Sequence, residues 1–302
     1  MNNRLQSTEL NKHQKGVTQG ANSTVVSRPA AMGLLLLIII LWGANWSVMK
    51  IGLNAIPPLT FTAIRMVLGA GILAIVAAAM GQLRLPSHHD WPIVLSVGLI
   101  QMGVFMALTT FALQFVPAGR SAILAYTTPL WVVPIAALVL HEHLSPLKKG
   151  GFLFGLGGVV VLFNPLGFDW TDRNILIGNG LLLFAALLWA ILIVQIRSHR
   201  WKGTPLSLGP WQFAVGSGLL IPLALMIEGI RPIHWSAELG WVLFYNGPLA
   251  TAFCFWAMLT VNRALPAITT SIGALGVPAF GVLTAAVVLG EPITTTNILG
   301  FL

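Results

Sequence analysis

Apolar residues run through this chain in long blocks, each closed by a short polar, proline- or glycine-containing turn. A helix needs about 20 such residues to cross the ~30 Å hydrocarbon layer of a bilayer. Ten blocks meet or approach that length: 32–53, 58–80, 92–115, 118–140, 147–163, 175–196, 206–227, 239–261, 267–289, and a tenth that starts near Ile293 and reaches Leu302 with about half the needed residues. The runs do not alternate, which excludes the strands of an outer-membrane barrel. The pattern predicts an all-α polytopic membrane protein of ten transmembrane helices, with residues 1–30 a disordered polar tail on the cytoplasmic side.

Composition agrees. Of 302 residues, 56% are hydrophobic and 8% charged, too few charges to cover a soluble surface, so the outer surface must meet lipid. The 16 basic side chains are sorted by side. With the amino terminus inside, eleven fall in cytoplasmic segments and four (Lys50, Arg120, Arg173 and Arg231) outside, leaving Arg65 within a span. This bias accounts for the net charge of +8 without nucleic acid, and it predicts a multi-pass protein of the cell (inner) membrane with both termini cytoplasmic. The lone Cys254 excludes an intramolecular disulfide.

The chain also repeats itself. At an offset of 147, Leu41-Trp42 falls on Leu188-Trp189, Lys50 on Arg197, Pro58-Leu59 on Pro205-Leu206, and Gly69/Gly71 on Gly216/Gly218. At 149, Gly98 falls on Gly247, Pro117-Ala118 on Pro266-Ala267, Pro129 on Pro278 and Glu142 on Glu291. Each half holds five spans, an odd number, so the second half enters the bilayer upside down relative to the first, at 31–165 and 174–302. Inverted repeats of this kind are the architecture of secondary transporters, in which substrate binds between the halves near the midplane.

The ordered motifs Leu41-Trp42-Gly43-Ala44-Asn45, Pro57-Pro58-Leu59-Thr60-Phe61 with Arg65, Ala125-Tyr126-Thr127-Thr128-Pro129-Leu130, Glu142 and Gly155-Leu156-Gly157-Gly158-Val159-Val160, with Leu188-Trp189-Ala190, Pro278 and Glu291 in the second half, carry a family resemblance. The chain resembles ten-helix members of the EamA branch of the drug/metabolite transporter superfamily. That resemblance implies a carrier of small metabolites, most often an exporter of amino acids or related compounds, with aromatic amino-acid exporters one branch. Drug-like cations and nucleotide precursors are the alternative cargoes.

A midplane pocket needs convergent polar groups on an apolar wall. Trp42, Asn45, Trp46, Gln101, Tyr126, Trp189, Tyr245 and Asn246 are the candidates, with the symmetry mates Trp42 and Trp189 placed to flank a planar substrate. Arg65 lies seven residues into span 2, about 10 Å below its turn. It either packs against helix ends, snorkels to the surface, or meets a substrate carboxylate. The repeat suggests two ion pairs tying the halves together as gates, Lys50 with Glu291 and Arg197 with Glu142; the alternative is that both glutamates cap helix ends or loop amides within their own halves. His141-Glu142-His143 has the wrong helical spacing for a shared ion, so no metal and no cofactor are expected. Catalytic clusters of intramembrane enzymes and the charge rings of channels are missing from the spans. The expected partners are a small-molecule substrate and the lipid bilayer, the chain acting as monomer or homodimer; spans 5 and 10 are expected to brace the outside.

Overall fold

In a computed structural model of the chain, the structure describes residues 26–139, scattered positions between 146 and 161, and residues 171–199, 202–265, 270, 273–295 and 298, without the side chains at 136, 137, 197, 198, 259, 262 and 263. All regular structure among the described residues is helical. The helices are α1 (Arg28–Gly52), α2 (Pro58–Ala79), α3 (Trp91–Ala112), α4 (Ala118–Ala125), α5 (Thr128–Val139), α6 (Arg173–Ser198), α7 (Pro205–Ile227), α8 (237–264) and α9 (Gly276–Leu289). Five of them, α1, α2, α3, α6 and α7, are long and apolar enough to cross a membrane. Spans 5 and 10 fall largely outside the described residues, as do His141, Glu142 and His143.

Each start has a local cause. Pro57-Pro58 and Pro117 open α2 and α4, where a missing amide hydrogen costs nothing. Asp172 caps α6, Thr204 and Ser207 form a capping box on α7, and Ser236 caps α8. Helix α1 begins at Arg28 with Pro29 in its first turn, three residues inside the segment expected to be disordered. Helices α2 and α7 both end at a left-handed glycine, Gly81 (φ 65°) and Gly229 (φ 69°), 148 residues apart in the repeat.

Two departures from straight spans recur at mated positions. Span 4, expected to be continuous, breaks at Tyr126-Thr127, ahead of Pro129. Its mate breaks at Leu275, ahead of Pro278, so α9 is the second part of span 9. Proline removes an amide donor and crowds the preceding turn, which accounts for both breaks. Helices α3 and α8 each contain nine residues of π-helix, Val97–Phe105 and Tyr245–Phe253, again 148 residues apart. Widened turns of this kind concentrate at functional sites.

The halves interlock. Helices α2 and α7, mates of each other, pack together along their length; α9 packs on α1 as α6 packs on α4 and α5; α3 packs on α7 as α8 packs on α2. The symmetry holds residue by residue. A Cβ at Gly98 would lie 2.6 Å from Val215 Cβ, and one at Gly247 the same distance from Leu68 Cβ, Val215 being the mate of Leu68. Likewise Gly69 faces Thr251 and Gly216 faces Met102, mates once more. These glycines let the backbones of opposite repeats approach, as small residues do between membrane helices. Apolar side chains such as Ile75, Phe184, Met226 and Val287 face outward, as a lipid-facing surface requires.

Substituting leucine at Gly98 or Gly247 should therefore cost about 1–3 kcal/mol by overpacking. Leucine at Gly71, which has open space where a Cβ would go, should not. The check is thermal unfolding of the purified chain in detergent: a clear loss for the first two and none for the third.

Candidate functional site

Between the halves, the last turns of α1, the first half of α2 and the π-helical part of α8 converge on a buried polar cluster. Arg65 of α2 is 3% exposed. Its Nε and Nη2 donate to Thr251 Oγ1 at 3.3 and 3.0 Å, and its Nη1 reaches Met49 Sδ at 3.1 Å. The snorkelling alternative is thereby overturned: the guanidinium points into the seam and is held by two neutral acceptors, one from each half. Asn45 Nδ2 donates to the same Met49 sulfur at 2.9 Å, and its buried Oδ1 has no partner among the described residues. Asn246 is fully buried on α8; its Nδ2 donates to the Val242 carbonyl one turn back, and its Oδ1 too has no partner among the described residues.

Two hydrogen bonds between residues far apart in sequence pin this part of α8 to α1. Trp42 Nε1 donates to the Ala250 carbonyl at 2.8 Å and Tyr245 Oη to the Leu41 carbonyl at 2.7 Å. Trp189, the mate of Trp42, stands edge-on to Phe105 at 4.8 Å and to Tyr126 at 6.1 Å, where span 4 breaks. Tyr126 packs against the apolar cluster that also holds Trp46, Met49 and Leu68. Trp46 is 7% exposed and belongs to the apolar cluster that also holds Ala122, Ala125 and Leu113. Gln101 is half-buried on the π-helical part of α3. The sequence reading missed Met49 and Thr251. A threonine within a span most often bonds its own helix backbone, and a methionine in an apolar run carries no signal at all, so neither was readable from the sequence.

The predicted ion pair of Lys50 with Glu291 is replaced by a different arrangement. Lys50 Nζ donates to the carbonyls of Leu113 and of Val116, the latter at 3.1 Å, at the carboxyl end of α3. Glu291 accepts from the amides of Ala118 and Gly119 at 2.7 and 3.0 Å, at the start of α4. The two charges thus clamp the Pro117 turn from opposite dipole ends, the cation on carbonyls and the anion on amides. Glu291 caps the other half, not its own, which also corrects the alternative reading. Glu142 and the Arg197 side chain lie outside the described residues.

Two further carboxylates do the same and were not foreseen. Glu228, at the end of α7, accepts from the Leu59 and Thr60 amides at 2.7 and 2.8 Å and from Thr60 Oγ1, capping α2. Asp90, just before α3, accepts from the Lys202 and Gly203 amides, both at 3.0 Å, on the turn into α7. Only eight acidic residues exist in the chain, and three of them bind across the seam at span edges; that scarcity was the readable signal. The pairs also fix direction. The end of α7 meets the start of α2 while the turn after α2 meets the approach to α7, so these mates run antiparallel and the second repeat is inverted.

Burial alone would push the Asp90 carboxyl up. The hydrogen bonds from Lys202, Ser87, Gly203 and His199 together outweigh it and hold the group below its ordinary value. His199 Nε2 lies 3.6 Å from Asp90 Oδ1, and its ring stacks on His89 at 5.0 Å. Because the folded-state value is lowered, the stability supplied by the ionised form is present above the unfolded value of about 3.9 and lost as pH falls through the folded one. Asp90→Asn should accordingly lower the unfolding temperature at pH 7, and the gap from the unsubstituted chain should close below about pH 4, read by thermal scans across pH.

Comparison with known proteins agrees with this architecture. The model of the EamA-like transporter family matches residues 30–164 and again 176–302. Over 266 residues the chain is 28% identical to a Bacillus subtilis (strain 168) protein named "Uncharacterized transporter YoaV", covering 88% of this chain and 90% of that one. It is 27% identical to an Escherichia coli (strain K12) protein named "Probable amino-acid metabolite efflux pump", over 88% and 89% of the two chains. A solved crystal structure, 22% identical, superposes with a TM-score of 0.62 over 91% of this chain and 93% of that one, which supports the fold. The chain belongs to the EamA-like transporter family, and it is a multi-pass membrane transporter rather than an enzyme.

Proposed function

We propose that this transporter exports small carboxylate-bearing metabolites, amino acids or related compounds and aromatic ones among them, across the cytoplasmic membrane by alternating access, with both termini inside. The observation that carries the reading is Arg65: a guanidinium at the inter-repeat seam, out of reach of water and without an acidic neighbour within 4 Å among the described residues. Such a charge costs several kcal/mol unless something compensates it. A substrate carboxylate entering the seam would displace the weak Met49 contact and take the bidentate geometry that guanidinium favours. The unpaired Asn45 and Asn246 oxygens are acceptors suited to a substrate ammonium, and Tyr126, Trp189 and Phe105 offer faces to an apolar or aromatic side chain. A cationic drug would face Arg65 unfavourably, which ranks that cargo lower. The efflux-pump name of the Escherichia coli relative points the same way.

Access alternates, in this reading, by exchange of the carboxylate caps. Glu228 and Glu291 hold the starts of α2 and α4 on one side of the seam and Asp90 holds the approach to α7 on the other. Charge-assisted bonds of this kind are worth about 1.5–3 kcal/mol each, enough to bias a gate and too little to lock it.

In proteoliposomes, labelled amino acids should show saturable counterflow. Arg65→Gln should raise the half-saturating concentration about tenfold or more for acids but not for their amides, a loss of one charged hydrogen bond. Absence of counterflow with every carboxylate tried, or an equal effect on acids and amides, would overturn the reading. Glu291→Gln should change the rate of exchange with little effect on half-saturation, measured in the same vesicles.

A further inference from the structure

A groove of about 420 Å³, with neither Arg65, Asn45 nor Thr251 in its lining, lies between the first half of α2 and the last turns of α7, roofed by Gly229, Ile230, Arg231 and Ile233. Ile64 and Val67 form one wall and Ile221 and Leu225 the other, and the buried Ala63 and Ala224 leave the floor low. Its polar lining is scant. Thr60 spends its hydroxyl on Glu228, and Arg231 stands at the mouth. Nothing in it would hold a soluble metabolite, whereas a hydrocarbon chain matches it throughout.

Its dimensions select the kind of chain. Along α2 the groove runs from Pro57 to Leu68, about 16 Å at 1.5 Å per residue. That is about half the ~30 Å hydrocarbon layer, one leaflet deep. Pro57 and Arg231 are at the turn level, where headgroups lie, and Val67, Ile221 and Leu225 are open to the side, so a lipid can enter laterally. The charge at the mouth is available. Arg231 is exposed and donates its Nε to the Glu228 carbonyl at 3.1 Å, while the Glu228 carboxylate is occupied by the Leu59 and Thr60 amides. We infer that this groove is a binding site for an anionic phospholipid, one acyl chain seated between α2 and α7 and the phosphate on the Arg231 guanidinium. The site sits on the pair of helices that face each other across the repeat, directly beneath the Glu228 cap, so its lipid bridges the two halves where they must move.

The test uses the detergent-purified full chain and three probes: dioctanoyl phosphatidylglycerol, dioctanoyl phosphatidylcholine and glycerol 3-phosphate, with binding read by calorimetry. The glycerol lipid should bind about fivefold tighter than the choline lipid, the effect of one basic side chain near an anionic headgroup, and glycerol 3-phosphate should bind far more weakly than either. Arg231→Gln should abolish the preference between the lipids while leaving choline-lipid binding in place. Ile221→Trp, a substitution at a surface-exposed wall position that fills the groove, should weaken both lipids with the unfolding temperature preserved. Equal affinity for the two headgroups would overturn the inference, as would binding of glycerol 3-phosphate as tight as that of the lipid, or undiminished lipid binding by Ile221→Trp.

Discussion

The seam between the two repeats is held by carboxylates placed on backbone amides of the opposite half, and much of the remaining structure follows from that constraint. A helix start leaves amide hydrogens without partners, which within a membrane is expensive. Proline at the start of α2 and α4 removes one donor; Glu228 and Glu291 satisfy the next ones from across the seam. Asp90 does the same for the turn into α7. Because the acceptors belong to the other repeat, satisfying the backbone and joining the halves are a single act. The bonds are strong enough to define a closed side and few enough to be released together.

Close approach of the backbones is the second requirement, and the glycines supply it. Gly98, Gly247, Gly69 and Gly216 each face a side chain of the opposite repeat, and the contacts come in mated pairs. A seam built this way is nearly symmetric, so the arrangement on one side can be adopted by its mates on the other. The caps themselves are less symmetric than the glycines. Glu228 stands at the end of α7 while Asp90 stands ten residues beyond Met80, at the start of the next helix just before Trp91, so the two sides of the seam are held with different geometry.

The helical class, most span positions and the inverted repeat were legible because they depend on composition, proline position and the self-match of the chain. What escaped depends on partners distant in sequence. Pairing Lys50 with Glu291 assumed that opposite charges seek each other; the helix ends, with their own partial charges, took both side chains instead. The break at Tyr126 had a readable cause in Pro129 and the π-helical turn in α8 one in Pro248, but its mate in α3 has no cue in an apolar run. Trp46 shows the limit for aromatics, since a tryptophan beside an asparagine in an apolar helix reads the same whether it lines a pocket or fills a core.

Arg65 brings these threads together. In a chain with 16 basic residues, sorting by side leaves this one within a span, and the fold then buries it against a sulfur and a hydroxyl drawn from opposite repeats. A residue needed only to join α2 to α8 could do so as a neutral donor at far lower desolvation cost. The retained charge therefore argues for an anion that visits the seam. On the proposed function, a bound carboxylate would compensate the guanidinium and favour the closed seam, and its release would leave a charge that favours hydration and opening. The same side chain that recognises the carboxylate would in this way couple its arrival and departure to the motion of the two halves.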